Sequence, residues 1–297
     1  MSNVFVIGGA ALETCGFPTD ICRMRDSNPG YVRSYVGGVG RNVAKYLVRL
    51  GEEVQFITAI GNDATGNVIK SNCEDHRIHL DYTLFDSGNS ATILGIYDED
   101  YDLLTGICEM SIMKKLTPAY FEPLLSSVNA SDFCVIDSNI SSESIDYLAC
   151  NLKTKLYYEP VSIGKARNIV NSIHQCYAIK ANRFEAALIS GCSCDTVKGV
   201  YRAAEWFLNE GVEKVLITLG PEGVVYADRD SFGQIEGEPV RVKDSRGAGD
   251  CMSAAIIHAM LGGKPLEECA REGNHAGAQY CAKRHADLEK LEKNGDD

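Results

Sequence analysis

Basic charge is in short supply in this sequence. Its 29 Lys and Arg stand against 41 Asp and Glu, for a formal net charge of -12. That balance argues against nucleic acid as a partner, because such binding draws most of its affinity from clustered cations facing phosphates. Long hydrophobic runs are missing as well. Stretches such as Ala254 to Leu261 fall far short of the roughly 20 residues needed to cross a bilayer, so no membrane partner is expected. Neither a basic lead nor a cleavage-site pattern precedes the apolar run Val4 to Ile7, which points to a cytoplasmic protein. None of the 12 cysteines forms a Cys-x-x-Cys pair, and Cys192-Ser193-Cys194 offers two thiolates without a second ligand pair. Dispersed reduced thiols are the simpler reading. The single tryptophan, Trp206, lies in a helical pattern and reads as core packing. No repeat period or low-complexity tract appears.

What is present is an alternation of strand and helix over 297 residues, enough for one large α/β domain with a small attached element. Val4 to Ile7 followed by Gly8-Gly9 reads as a buried strand ending in a tight turn. Helical spacing follows over Gly40 to Leu50, then a strand over Val54 to Ile60; such strand-helix-strand units pair their strands in parallel. Strands are expected at Phe133 to Asp137, Leu156 to Tyr158, Ala178 to Ala181, Val215 to Thr218, Val224 to Ala227 and Pro239 to Val242. Ala203 to Asn209 reads as a helix stopped by Gly211. Segments 14–36 and 80–110 interrupt the alternation with short strands and turns, and are expected to form a small β-sheet beside the main one. Asp98-Glu99-Asp100-Tyr101-Asp102 reads as an acidic hairpin tip.

The most informative stretch is Asp244-Ser245-Arg246-Gly247-Ala248-Gly249-Asp250, ahead of a helical pattern over Cys251 to Leu261. Three minimal side chains at a helix start let backbone N–H groups close on an anion, and the helix dipole adds positive potential behind them. Phosphate is the natural guest. Asp250 would lie in the first turn, where a carboxylate can take the proton of an attacking hydroxyl. On its own the pattern is weak, and a turn with an acid at a helix N-terminus is the simpler reading.

This stretch resembles the C-terminal signature of the ribokinase-like (PfkB) carbohydrate kinases, Asp-Thr-x-Gly-Ala-Gly-Asp before a helix. Gly37-Gly38-Val39-Gly40-Arg41-Asn42-Val43-Ala44 resembles their other signature. Three further motifs fit in order: Ala59-Ile60-Gly61-Asn62-Asp63 with Gly66, Lys180-Ala181-Asn182-Arg183-Phe184-Glu185, and Thr218-Leu219-Gly220-Pro221-Glu222-Gly223. The resemblance spans essentially the whole chain. It implies a three-layer α/β fold with a mainly parallel central sheet and a small β-sheet lid, and a kinase that uses ATP and Mg2+. By the same resemblance, Asp250 is the catalytic base and Gly247, Ala248 and Gly249 form the anion hole. Asn182 and Glu185 help place Mg2+ and the nucleotide phosphates, Glu185 largely through water, although Asn182 also suits ordinary helix capping. Thr218, Gly220 and Gly223 form a nucleotide-binding turn, with Asn274 a further candidate on the adenine side. Asp244 and Ser245 occupy a loop where many members hold a monovalent cation such as K+.

On the acceptor side, Gly38 and Asn42 match the sugar-contacting turn. Glu13 stands where the family carries an Asp after the first strand. Asn139 is a further substrate candidate, or a residue that stabilises its own turn. Arg246 departs from the usual uncharged residue, and either faces solvent or reaches the γ-phosphate. Within the family, the Gly-Gly-Val-Gly-Arg-Asn-Val-Ala run and passages such as Asp137-Ser138-Asn139 and Glu159-Pro160-Val161-Ser162 are most similar to the pseudouridine kinases. That likeness implies a nucleoside acceptor phosphorylated at its 5′-hydroxyl and a homodimer formed through the lid. Other nucleoside or sugar kinases (ribose, fructose) and a non-catalytic sugar-binding regulator remain alternatives. A dinucleotide-dependent oxidoreductase is disfavoured, since no Gly-x-Gly-x-x-Gly follows the first strand.

Overall fold

A computed structural model describes residues 2–98, 103–242 and 245–283. The strands are β1 (Asn3–Ile7), β2 (Ala11–Pro18), β3 (Gly30–Gly37), β4 (Glu53–Ile57), β5 (Ala59–Gly61), β6 (Leu84–Asp86), β7 (Thr92–Tyr97), β8 (Leu103–Glu109), β9 (Phe133–Asp137), β10 (Lys155–Glu159), β11 (Ala178–Asn182), β12 (Lys214–Thr218), β13 (Val224–Ala227) and β14 (Phe232–Ile235). The helices are α1 (Val39–Arg49), α2 (Ala64–Asp75), α3 (Pro118–Phe121), α4 (Leu125–Asn129), α5 (Ser142–Asn151), α6 (Arg183–Ser190), α7 (Val197–Asn209), α8 (Ala248–Leu261) and α9 (Leu266–Cys281).

The main sheet runs β14-β13-β12-β11-β10-β9-β1-β4. β12 through β4 are mutually parallel, while β13 and β14 form an antiparallel edge. Its inner parallel strands are largely apolar because both faces are covered, while the edge strand β4 carries Glu53 and Gln55. Phe5 and Ile7 of β1 face a core shared with Ile145, Leu148, Val200 and Phe207 of α5 and α7. Val4 and Val6 face the opposite core, with Val43 and Leu47 of α1 and Ile256 of α8. This gives the three-layer ribokinase-like arrangement. Trp206 packs edge-on against Phe207, ring centroids 5.3 Å apart, at the margin of the first core.

A second sheet has the order β3-β2-β7-β8. Three details differ from the sequence expectations. The run Val54 to Ile60 is not one strand: Thr58 separates β4 from β5, which leaves the main sheet to pair with β6. Consequently β6, within segment 80–110, is not part of the second sheet. Pro239 to Val242 forms no strand; Pro239 supplies no N–H for a ladder. Residues 99–102 of the acidic tip lie outside the described residues, as does Asp244.

The motif Ala59 to Gly66 proves to be a joint. Asp63 caps α2 by accepting the Gly66 N–H at 2.6 Å, and its carboxylate also accepts the Ser90 N–H at 3.0 Å and hydroxyl at 2.7 Å. Partial burial pushes its pKa up, but these donors outweigh it and hold the carboxyl below its ordinary value. One side chain thereby ties α2 to the segment leading into β7.

Candidate active site

Parallel strands deliver their C-terminal ends to one edge of the sheet, where α/β proteins bind ligands. Register places Asp137 of β9 beside Glu159 of β10, and Asn182 of β11 beside Thr218 of β12. The start of α8 lies over this edge. Its N-cap is Gly247, at φ 83° and without a side-chain cap; a Cβ there would cost about 1–2 kcal/mol in backbone strain and would meet the Tyr280 hydroxyl at 3.1 Å. With Ala248 and Gly249 following, the first-turn N–H groups stand at the positive end of the helix. Asp250 occupies that first turn, and the Asn42 amide of α1 donates to its Oδ2 at 2.8 Å. Burial raises the Asp250 pKa to about 6, against the Asn42 hydrogen bond and the Lys180 cation and with help from the Glu13 and Asp137 charges. A carboxyl poised there can accept a proton near neutral pH and release it again.

Beneath the turn lies a polar network that sequence reasoning did not single out. Lys180, quoted only as part of a motif, donates to the Gly249 carbonyl at 3.2 Å and pairs with Glu159 Oε2 at 3.1 Å. Glu159 also accepts from the Ser253 hydroxyl of α8, which in turn accepts from Tyr157 at 3.3 Å. Burial pushes Glu159 up to about 7, while the Lys180 charge and the Ser253 bond oppose it. Burial pulls the Lys180 ammonium down, but the carboxylates Glu159, Asp250 and Glu185 outweigh it and hold its pKa above the ordinary value. Asp137 was also missed. Fully buried, it accepts the Gly9 N–H (2.9 Å), the Gly40 N–H (2.8 Å), and the Asn139 N–H (2.8 Å) and amide (3.0 Å). It binds the turn after β1, the start of α1 and the loop after β9 into one unit. The signal for both acids was available: each ends an apolar strand of a parallel sheet.

On the expected nucleotide side, Asn182 and Glu185 form a reciprocal capping box on α6. The Asn182 Oδ1 accepts the Phe184 and Glu185 N–H groups, each at 2.9 Å, and Glu185 Oε2 accepts the Asn182 N–H at 2.9 Å. Gly220 and Gly223 flank the short turn after β12, and Arg183 joins the two motifs through Glu222 at 2.6 Å. Asn274 of α9 is turned to the loop after β14, donating to the Glu236 carbonyl at 3.0 Å. Ser245 is exposed and its carbonyl accepts the Ala248 N–H at 3.2 Å. With Asp244 undescribed, no cation ligand set is assigned. Among the described residues no group of three or more His, Cys, Asp or Glu could hold a metal directly. A hard cation such as Mg2+, which keeps several waters and leans on substrate phosphates, asks for no such cage.

On the expected acceptor side, Gly38 (φ 97°) lies so close to Gly9 that an added Cβ would come within 2.4 Å of the Gly9 carbonyl oxygen. Glu13 is not on a turn after the first strand but inside β2, its carboxylate accepting the Gly38 N–H at 3.3 Å. Burial raises its pKa, opposed by that bond and by the Arg246 and Arg41 charges. Asn42 is held from behind, its Oδ1 accepting from Arg41 at 3.0 Å. Asn139 has its amide between Asp137 and Lys165, the latter at 2.7 Å, which is the turn-stabilising arrangement. Arg246 is half-buried, and its guanidinium packs over aromatic rings of the second sheet.

A small-residue turn opening a helix, a carboxyl of raised pKa within it and a small sheet beside it form an arrangement that suits phosphoryl transfer to an alcohol group. The match to the pfkB family carbohydrate kinase model spans residues 1–293. The chain belongs to that family. It is 29% identical over 277 residues to the pseudouridine kinase of Escherichia coli, covering 90% of this chain and 87% of that one. It is 25% identical over 288 residues to the guanosine-inosine kinase of Exiguobacterium acetylicum, covering 95% of each. In fold it superposes on the ribokinase of Thermotoga maritima with a TM-score of 0.83, at 20% identity, over 99% of this chain and 100% of that one. Among the described residues no helix is long and apolar enough to cross a membrane.

Proposed function

We propose that the protein transfers the γ-phosphoryl group of ATP to the 5′-hydroxyl of pseudouridine. The observation that carries this reading is the 29% identity to the Escherichia coli pseudouridine kinase over nearly the full length of both chains. Asp250 takes the proton of the acceptor hydroxyl, whose oxygen attacks the γ-phosphorus as the bond to the β-phosphate oxygen breaks and ADP leaves. The N–H groups of the Gly247–Gly249 turn stabilise charge on the transferring oxygens. Asn42, fixed by Arg41, orients Asp250. Glu185 and Asn182 would hold Mg2+ through water, and the ion would neutralise the nucleotide phosphates. Glu13, Gly38 and Asn42 face the acceptor, Thr218, Gly220 and Gly223 the nucleotide, and Asn139 and Asn274 shape their loops.

The second sheet acts as a lid that excludes water from the transfer. Alternation divides its residues: Glu13, Cys15 and Phe17 share one face with Tyr35, while Val32, Leu94 and Ile107 lie on the other and are well exposed. That exposed apolar face supports a homodimer formed through the lid, checked by light scattering in solution. The 12 cysteines are all free thiols, which supports a reducing, cytoplasmic setting. The likeness to the guanosine-inosine kinase favours a second reading, a purine nucleoside acceptor. A panel of pseudouridine, uridine, inosine, guanosine, ribose and fructose, followed by ADP release and product mass, tests both. Turnover confined to ribose or fructose would overturn the nucleoside assignment.

A further inference from the structure

The residue before the anion turn is tied to the small sheet rather than to the main one. The Arg246 guanidinium carbon lies 5.2 Å from the Tyr97 ring centroid and 5.8 Å from those of Phe17 and Tyr35. Its Nη1 is 3.6 Å from Cys15 Sγ. Those four residues come from three strands: Cys15 and Phe17 from β2, Tyr35 from β3 and Tyr97 from β7. Phe17 also stacks on Tyr97 at 4.9 Å and on Tyr31 at 5.2 Å, so the rings form one continuous plate. The inner face of the small sheet is therefore gripped by a planar cation that is covalently next to Gly247. Planarity matters, because a guanidinium can lie flat against several ring faces while remaining charged, and an ammonium cannot.

We infer that Arg246 is a positioning residue that couples closure of the small sheet to occupancy of the anion turn. The ring contacts tie the turn and the small sheet into one arrangement, so a phosphate group bound by the Gly247–Gly249 N–H groups in that arrangement favours the small sheet closed against Arg246. An open small sheet forfeits those contacts. At ordinary cation–π strength, the three together bias the closed arrangement by roughly 10- to 100-fold. The consequence for catalysis is that loss of the coupling leaves bound ATP in a less closed site, where water competes with the acceptor hydroxyl. The inference rests on the kinase reading of the turn and is independent of which nucleoside accepts the phosphate.

The test measures hydrogen exchange in the full-length protein with and without a non-hydrolysable ATP analogue and magnesium. In the wild type the analogue should slow exchange in β2 and β7 as well as around the anion turn. In Arg246→Gln the turn should still be protected while β2 and β7 are not, and Arg246→Lys, which keeps the charge but loses the plane, should fall between. Tyr97→Leu should reproduce the glutamine variant from the sheet side, and the double variant should be no worse than either. With a turnover-competent acceptor, Arg246→Gln should lower kcat/KM for the acceptor about 10-fold or more, leave the KM for ATP within about threefold, and raise ADP formed per phosphorylated product above the wild-type ratio. Protection of β2 and β7 that persists in Arg246→Gln overturns the coupling, as does full additivity of the two single variants. Failure of every acceptor in the wild type would instead strike the acceptor assignment, and the exchange result would still decide the coupling.

Discussion

Replacing Asp250 by Asn should make the protein more stable and nearly inactive. Burial has moved this carboxyl from its ordinary value of 3.8 to about 6, so the folded state binds its proton more tightly than the unfolded chain does. Between those values stability falls as pH rises, and above about pH 6 the cost of ionising this partly buried acid is fully expressed. The difference corresponds to about 3 kcal/mol as a ceiling. Against it stands the Asn42 hydrogen bond at 2.8 Å; turning its acceptor from a carboxylate to an amide forfeits about 1 kcal/mol. The net gain is about 2 kcal/mol, or roughly 3–6 °C in Tm for a protein of this size. Thermal unfolding of both proteins at about pH 8 and about pH 5 measures it, and the gain should shrink at the lower pH because wild-type Asp250 is then mostly protonated. Loss of the base should lower kcat by about 10²–10⁴. A variant less stable than wild type at pH ~8, or a gain equal at both pH values, would refute the burial argument; retained activity would remove Asp250 from the chemistry.

Two further substitutions probe the supports of the site. Lys180→Met strips the cation from the buried Glu159, a change with a ceiling of about 3–5 kcal/mol. Because Glu159 already sits at about 7, it should escape part of the penalty by taking up a proton, so the loss in urea denaturation should be larger above neutral pH than below it. Adding Glu159→Gln should recover much of the stability, and kcat should remain depressed because the Gly249 carbonyl has lost its donor. Asp63→Ala should cost about 1–2 kcal/mol through the lost α2 cap while leaving kcat nearly unchanged. The wild-type carboxyl is held below its ordinary value by Ser90 and Gly66, so its contribution is present above that value and lost as pH falls through the folded one. In acid the two proteins should therefore converge, as chemical denaturation at several pH values would show.

Much of the fold was written plainly in apolar periodicity. The runs of β1, β9, β10, β11 and β12 are buried on both faces, so no competing surface preference blurred them. The short pieces were harder. Thr58, fully buried between β4 and β5, breaks a strand without a glycine or proline to mark it, and the partner that draws β5 away, β6, is distant in sequence. For the site, Gly247 to Asp250 were legible as a small-residue turn opening a helix, while the roles expected of Asp250 and Asn42 came through the family resemblance. Lys180 was not legible, since its importance arises only when strand ends are set side by side; Asp137 and Glu159 were marked as acids ending apolar strands, but not by the partners they would meet. Arg246 shows the same limit: an isolated cation in a loop says nothing about the rings that will receive it.

The hydrogen bond between Asn42 and Asp250 joins residues 208 positions apart, and this separation orders events in time. A ribosome finishes α1 and the strands of the main sheet before it reaches α8, so Asn42 is synthesised long before the carboxylate it holds. Contacts of such long range also slow folding, since distant segments must be brought together before they reward one another. The ability to transfer phosphate is thus among the last properties this chain acquires. Its appearance during refolding would report the docking of α8 against α1, which brings Asp250 to Asn42.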